Sequence, residues 1–242
     1  MKKLYKKSEI WFSVVWIVDY IVLTSAADSA SMRLGTQKLL TFPIHVLMTL
    51  SALLFVKKNG LMEKYGLCKP SLKASKCLYW LPLVLLSSVN VWFGVRLNFS
   101  VTESLLYVGS MICVGILEEL IFRGFLFKAM LKDIPKTAVA VSALTFGIGH
   151  IVNLFNGSGA ELLPTVCQIF HAVAFGWLCV VIFMRTKSIV PCIIAHSVIN
   201  SLSAFSNSAL SATTEIGVSL ALCVIAGGYA LYFERDRLIK KS

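Results

Sequence analysis

The run Ser104-Leu-Leu-Tyr-Val-Gly-Ser-Met-Ile-Cys-Val-Gly-Ile-Leu-Glu-Glu-Leu-Ile-Phe-Arg-Gly-Phe-Leu-Phe127 sets two acids and an arginine inside an otherwise apolar stretch. Such a run is long enough for a membrane-crossing helix, which needs about 20 apolar residues for roughly 30 Å of hydrocarbon. At 1.5 Å per residue the acids lie about 13 Å from the inner end. Each Asp, Glu or Arg at mid-helix costs about 3 kcal/mol on insertion scales, so the three together offset about fifteen leucine-like side chains. Glu119 and Arg123 are four apart and share a helix face, where they neutralise each other. Glu118 points about 100° away and is the acid left available. A purely structural Glu-Arg clamp explains Glu119 and Arg123 but leaves Glu118 without a purpose.

The same reading extends outward. Of 242 residues, 57% are apolar and 14% charged, too hydrophobic for a water-soluble domain. Eight apolar stretches, roughly 10–27, 39–56, 77–95, 104–127, 137–155, 162–184, 188–205 and 214–233, use up nearly the whole chain. The expected fold is an all-α polytopic transmembrane bundle of about eight spans, one integral membrane domain over 1–242, with a cavity inside the membrane. No internal repeat or long linker divides it; the longest joint, 57–76, reads as a solvated basic loop. The net charge of +11 is a topology signal: of 23 lysines and arginines, all but Arg33, Lys38 and Arg96 fall in Arg123, the two ends and the joints on one side. Both termini are therefore expected in the cytoplasm. Acidic lipid headgroups are an expected contact, and no motif supports a nucleic-acid partner.

Several features read as ordinary. The seven cysteines are odd in number and scattered, and suit small buried hydrophobes kept reduced. The triplets Asn98-Phe-Ser and Asn156-Gly-Ser mean nothing unless the host glycosylates. Trp11, Trp16, Trp80 and Trp92 near span ends are interfacial anchors. The basic start and Ser25-Ala26-Ala27 imitate a signal peptide, but Asp19 interrupts its core and a retained first helix is preferred. Asp19, His45, Gln168 and His171 read as packing or interface positions.

Two later stretches carry more chemistry. In Phe146-Gly-Ile-Gly-His150 the phenyl and imidazole share a face, and the glycines permit a close neighbour. In His196-Ser-Val-Ile-Asn200 two polar side chains face the same way. Estimated depths from the inner surface are about 13 Å for Glu118, 20 Å for His150 and 12 Å for His196, so helix tilt has to absorb the mismatch if they meet. No triad and no phosphate-cradling loop is present, which leaves water as the nucleophile.

These residues resemble a known family, the CAAX-protease and bacteriocin-processing (CPBP, or Abi) intramembrane proteases, which includes type II CAAX prenyl endopeptidases. Its ordered pattern appears here as Glu118-Glu119-x-x-x-Arg123, Phe146-x-x-x-His150 and His196-x-x-x-Asn200, covering about residues 104–205. The resemblance implies that Glu118 is general base on a water held with His150. His196 and Asn200 would stabilise the oxyanion, and Glu119 and Arg123 would hold the helix.

The resemblance implies an endopeptidase acting on a peptide or membrane-associated protein, reached from the bilayer or the inner face. Prenylation of that substrate is not implied by any residue. Metal involvement stays open: Glu118, His150 and His196 are also a plausible zinc set, although His-Glu-x-x-His is missing. A non-catalytic scaffold, immunity or regulatory protein on the same fold is the alternative, and a proton-relay transporter a third. A bacterial cytoplasmic membrane is the expected location, with no reading of oligomeric state.

Overall fold

The computed structural model describes residues 1–71, 80–132, 134–156, 159–207 and 210–239. Among them six helical segments are long and apolar enough to cross a membrane: Glu9–Arg33, Thr41–Lys58, Val101–Met130, Thr137–Leu154, Leu162–Thr186 and Ala212–Arg235. The helices are α1 (Lys2–Lys7), α2 (Glu9–Arg33), α3 (Thr41–Lys58), α4 (Leu81–Ser87), α5 (Val101–Glu118), α6 (Lys128–Met130), α7 (Pro135–Gly149), α8 (Leu162–Thr186), α9 (Val190–Leu202) and α10 (Ala212–Ile239). Large apolar side chains such as Leu47, Val84, Phe170, Leu220 and Val224 stand more than half exposed on the outside of the bundle. Water would penalise that surface heavily, whereas hydrocarbon accepts it, so this is an integral membrane protein.

Two of the eight expected spans are shorter than the sequence reading. In place of 77–95 the described helix is Leu81–Val91, and Cys77 lies outside the described residues. Pro82 sits in its first turn, where a missing N–H is tolerated, and its last turn narrows to a 3-10 helix over Val89–Val91. In place of 188–205 the helix is Val190–Phe205, again opened by a proline and closed by a 3-10 turn. Apolar composition continues past both helix ends, which is why the pattern overran them. The two are joined near their C-terminal ends, where Asn90 donates to the Ile199 carbonyl at 2.6 Å and Arg96 N–H to that of Phe205 at 2.8 Å.

The helix that carries the paired acids changes register at them. A capping box starts it: Ser100 Oγ accepts from Glu103 N–H at 3.3 Å, and Glu103 Oε2 accepts from Ser100 N–H at 3.2 Å. From Glu119 to Phe127 the backbone is a π-helix, all nine residues of it buried, before α6 restores the α-turn. π-turns are rare and concentrate at functional sites. Small residues set the crossings. A Cβ on Gly115 would overlap Ser197 Oγ and come within 2.8 Å of its backbone nitrogen, so α5 and α9 touch there. A Cβ on Gly147 would overlap Val173 and come 2.9 Å from the Ile169 carbonyl oxygen, so α7 lies against α8. Gly149 has nothing within 4 Å of such an atom, so only one of the two glycines near His150 serves close approach.

Candidate active site

The Gly115 crossing brings His196 of α9 beside the two glutamates. Its Nδ1 lies 3.0 Å from Glu119 Oε1 and its Nε2 3.6 Å from Glu118 Oε2. An ionised carboxylate only accepts, so Nδ1 carries the proton given to Glu119, and Nε2 is left facing Glu118. Arg123 Nη1 is 3.2 Å from the same Glu119 oxygen, and neither Glu119 nor Arg123 has any exposed side-chain surface. A buried pair of this kind is costly to break, because removal of one partner leaves a lone charge out of water. Phe146 finishes the clamp: the guanidinium carbon sits 4.1 Å from its ring centroid. Gly176 makes the room, since a Cβ there would lie 3.2 Å from both Arg123 Nη2 and Phe146.

Phe146 also orders the imidazoles. Its ring meets the edges of His150 and His196 at centroid distances of 5.4 and 5.6 Å. His150 ends α7, and its Nδ1 lies 3.1 Å from the Phe146 carbonyl oxygen and 3.3 Å from that of Gly147. Those acceptors assign the proton to Nδ1 and leave the Nε2 lone pair free.

Three cavities meet at His150. The largest, about 430 Å³, is lined by Glu118, His150 and Asn200 with Tyr20, His45 and Tyr107. An annex of about 100 Å³ is lined by His150, His196 and Asn200 with Phe146 and Phe175. A cleft of about 90 Å³ reaches Glu118 and His150 past Tyr20 and Ile21. Thus four of the six sequence-derived residues line connected space, while Glu119 and Arg123 line none of these three cavities.

The sequence reading missed Tyr20. This residue of α2 donates its hydroxyl proton to Glu118 Oε1 at 2.6 Å, so Glu118 is held through one of its two oxygens. His45, read as packing, lines the large cavity with its Nδ1 2.8 Å from Ser110 Oγ and its Nε2 3.0 Å from Thr24 Oγ1. Its ring stacks on Tyr20 at 6.0 Å. Gln168 and His171 line the same cavity, whereas Asp19 is exposed on the other face of α2. A tyrosine or histidine near other aromatics in an apolar run carries no signal that separates site from anchor.

Donor spacing bears on metals. Among the described residues, the three ligating side chains whose donor atoms lie within 4.8 Å of one another are Glu119, Cys179 and Cys192. Glu119 there already answers Arg123 and His196, and the nearby guanidinium opposes a second cation. Glu118, His150 and His196 have the right chemistry and second-atom partners for zinc but do not reach that mutual spacing.

No curated protein and no solved structure matches the chain. Residues 100–202 match the model of the Rce1-like family, described as type II CAAX prenyl endopeptidase Rce1-like, close to the 104–205 covered by the motif resemblance. That segment holds Glu118, Glu119, Arg123, His150, His196 and Asn200, so all six motif residues lie in the part of the chain that is similar to this family of proteases.

Proposed function

We propose that the protein is an intramembrane endopeptidase in which Glu118 activates water. The observation that carries this reading is the split between the adjacent acids: Glu119 is sealed in an ion pair, and Glu118 opens onto the cavity shared with His150 and Asn200. Tyr20 occupies Glu118 Oε1, which turns Oε2 toward the water. Glu118 takes one proton as the water oxygen adds to the peptide carbonyl, and the His150 Nε2 lone pair accepts the water's other hydrogen bond. The carbonyl becomes an oxyanion, which the Asn200 amide N–H and His196 stabilise, with His196 held in place by its Nδ1–H bond to Glu119. The proton on Glu118 then passes to the leaving amine as the C–N bond breaks. Glu119 and Arg123 fix His196 and the helix.

No step in this scheme passes through a metal, because the Glu118, His150 and His196 donors are not at ligand spacing; were zinc held there, it would polarise the water. The test uses purified protein in liposomes and a library of hydrophobic peptides, with products read by mass spectrometry and metal content measured on the same sample. The parent is expected to cleave a subset of peptides, and Glu118→Ala and His196→Ala are expected to cleave none. Variants that cleave as well as the parent would sink the proposal, and a stoichiometric metal whose removal stops cleavage would replace the metal-free scheme.

A further inference from the structure

One pole of the bundle is packed and the other is hollow. On the side of Glu119 that carries the basic joints, the buried π-helix meets a cluster of rings: Phe125 lies 5.0 Å from Phe12 and 5.0 Å from Tyr65, and Phe127 lies 6.1 Å from Phe183. All five rings are almost fully buried. Lys64 ties the rim with bonds to Glu9 at 2.6 Å and Tyr5 at 2.8 Å. Toward the opposite pole the 430 Å³ cavity runs from Glu118 past Tyr107 to Asn156, Leu210 and Glu215. These mouth residues lie where α7 and α9 end and α10 begins.

Charge gives the poles a direction. Among the described residues the packed pole carries the lysines of the joints, and the hollow pole has only Arg33, Lys38 and Arg96 as basic residues. Lys38 at the mouth is neutralised by Asp28 at 2.7 Å. Lysine and arginine accumulate on the cytoplasmic side of membrane proteins, so the hollow pole faces away from the cytoplasm. The narrow cleft lined by Ile21, Ser25, Gly149 and Val152 joins the site from between α2 and α7, a mostly apolar approach.

Resting on the endopeptidase reading, we propose that the substrate is the non-cytoplasmic juxtamembrane segment of a membrane-anchored polypeptide. Its polar stretch enters through the hollow pole, and the adjoining apolar stretch lies in the bilayer beside the α2–α7 cleft. Of the two approaches expected from the sequence, the bilayer and the inner face, the inner one meets the packed rings among the described residues.

Labelling decides the access without any need for cleavage. Leu210→Cys at the mouth, Met111→Cys on the cavity wall and the native Cys68 at the packed pole are challenged with a membrane-impermeant maleimide in intact cells that make the protein. Glu215→Cys replaces Leu210→Cys if that variant fails to accumulate. The mouth and wall cysteines are expected to label in intact cells, and Cys68 only after permeabilisation. The reverse pattern, or a wall cysteine that stays unlabelled before and after permeabilisation, overturns the proposal. The substrate class is read by comparing new protein N-termini in wild-type and Glu118→Ala cells. Wild-type-specific cuts on the non-cytoplasmic side beside membrane anchors support it, and cuts in cytoplasmic segments overturn it. Labelling as expected with no cleavage by the purified protein would remove the endopeptidase reading, and the substrate with it, while the access route stands.

Discussion

Glu119 and the groups around it make a dry region, whereas Glu118, one residue earlier, borders a cavity of about 430 Å³. In the dry region every charge has an opposite neighbour, and Arg123, Glu119, His196 and Phe146 lock one another. In the hollow region the polar groups, Glu118, the His150 Nε2 and Asn200, turn toward space large enough for water and a chain segment. The difference teaches that burial of charge alone does not mark a catalytic group. A buried charge sealed against an opposite one builds structure, and one that keeps an open side is left able to meet water or a substrate.

Substitutions on the two sides are expected to fail in different ways. Arg123→Leu leaves Glu119 buried without its cation and is expected to lose about 3–5 kcal/mol of stability, seen as a lowered unfolding temperature in detergent. If the double variant Glu119→Gln/Arg123→Leu recovers most of that loss, the clamp is structural; if the double is as unstable as the single, the comparison breaks. On the hollow side, Asn200→Ala is expected to lower kcat by about 10²–10³ through loss of an oxyanion donor, with the unfolding temperature unchanged. A fall in stability in place of rate would move Asn200 to the dry group. The smallest effect belongs to Tyr20→Phe, which removes one bond to a charged acceptor and is expected to slow cleavage roughly tenfold. An unchanged rate would make Tyr20 a packing residue that happens to touch Glu118.

The sequence exposed the charged half of this picture because charge in hydrocarbon is expensive enough to stand out. Glu118, Glu119 and Arg123, and the four-residue spacing of His196 and Asn200, were legible from helical periodicity alone. His150 became informative only as part of an ordered set. The π-helix was not legible, since no residue type announces a shift from i+4 to i+5 bonding, and it begins at the residue where the two acids part. Tyr20 was hidden for a different reason: it is 98 positions from Glu118 and outside the matched segment 100–202, so only the packing of α2 on the π-helix brings it in. The overrun of the third and seventh spans has the same origin, because hydropathy records what tolerates lipid and not where the backbone stops being helical.

The division between the two acids is tested most directly by Glu118→Gln, an isosteric change that keeps the side chain's volume and removes its capacity to take a proton. On one preparation, the unfolding temperature in detergent and the rate of peptide cleavage in liposomes are measured together. The expected result is an unfolding temperature equal to that of the parent with cleavage reduced by about 10²–10⁴. Cleavage at the parental rate, or an unfolding temperature lowered as far as that of Arg123→Leu, would contradict the account.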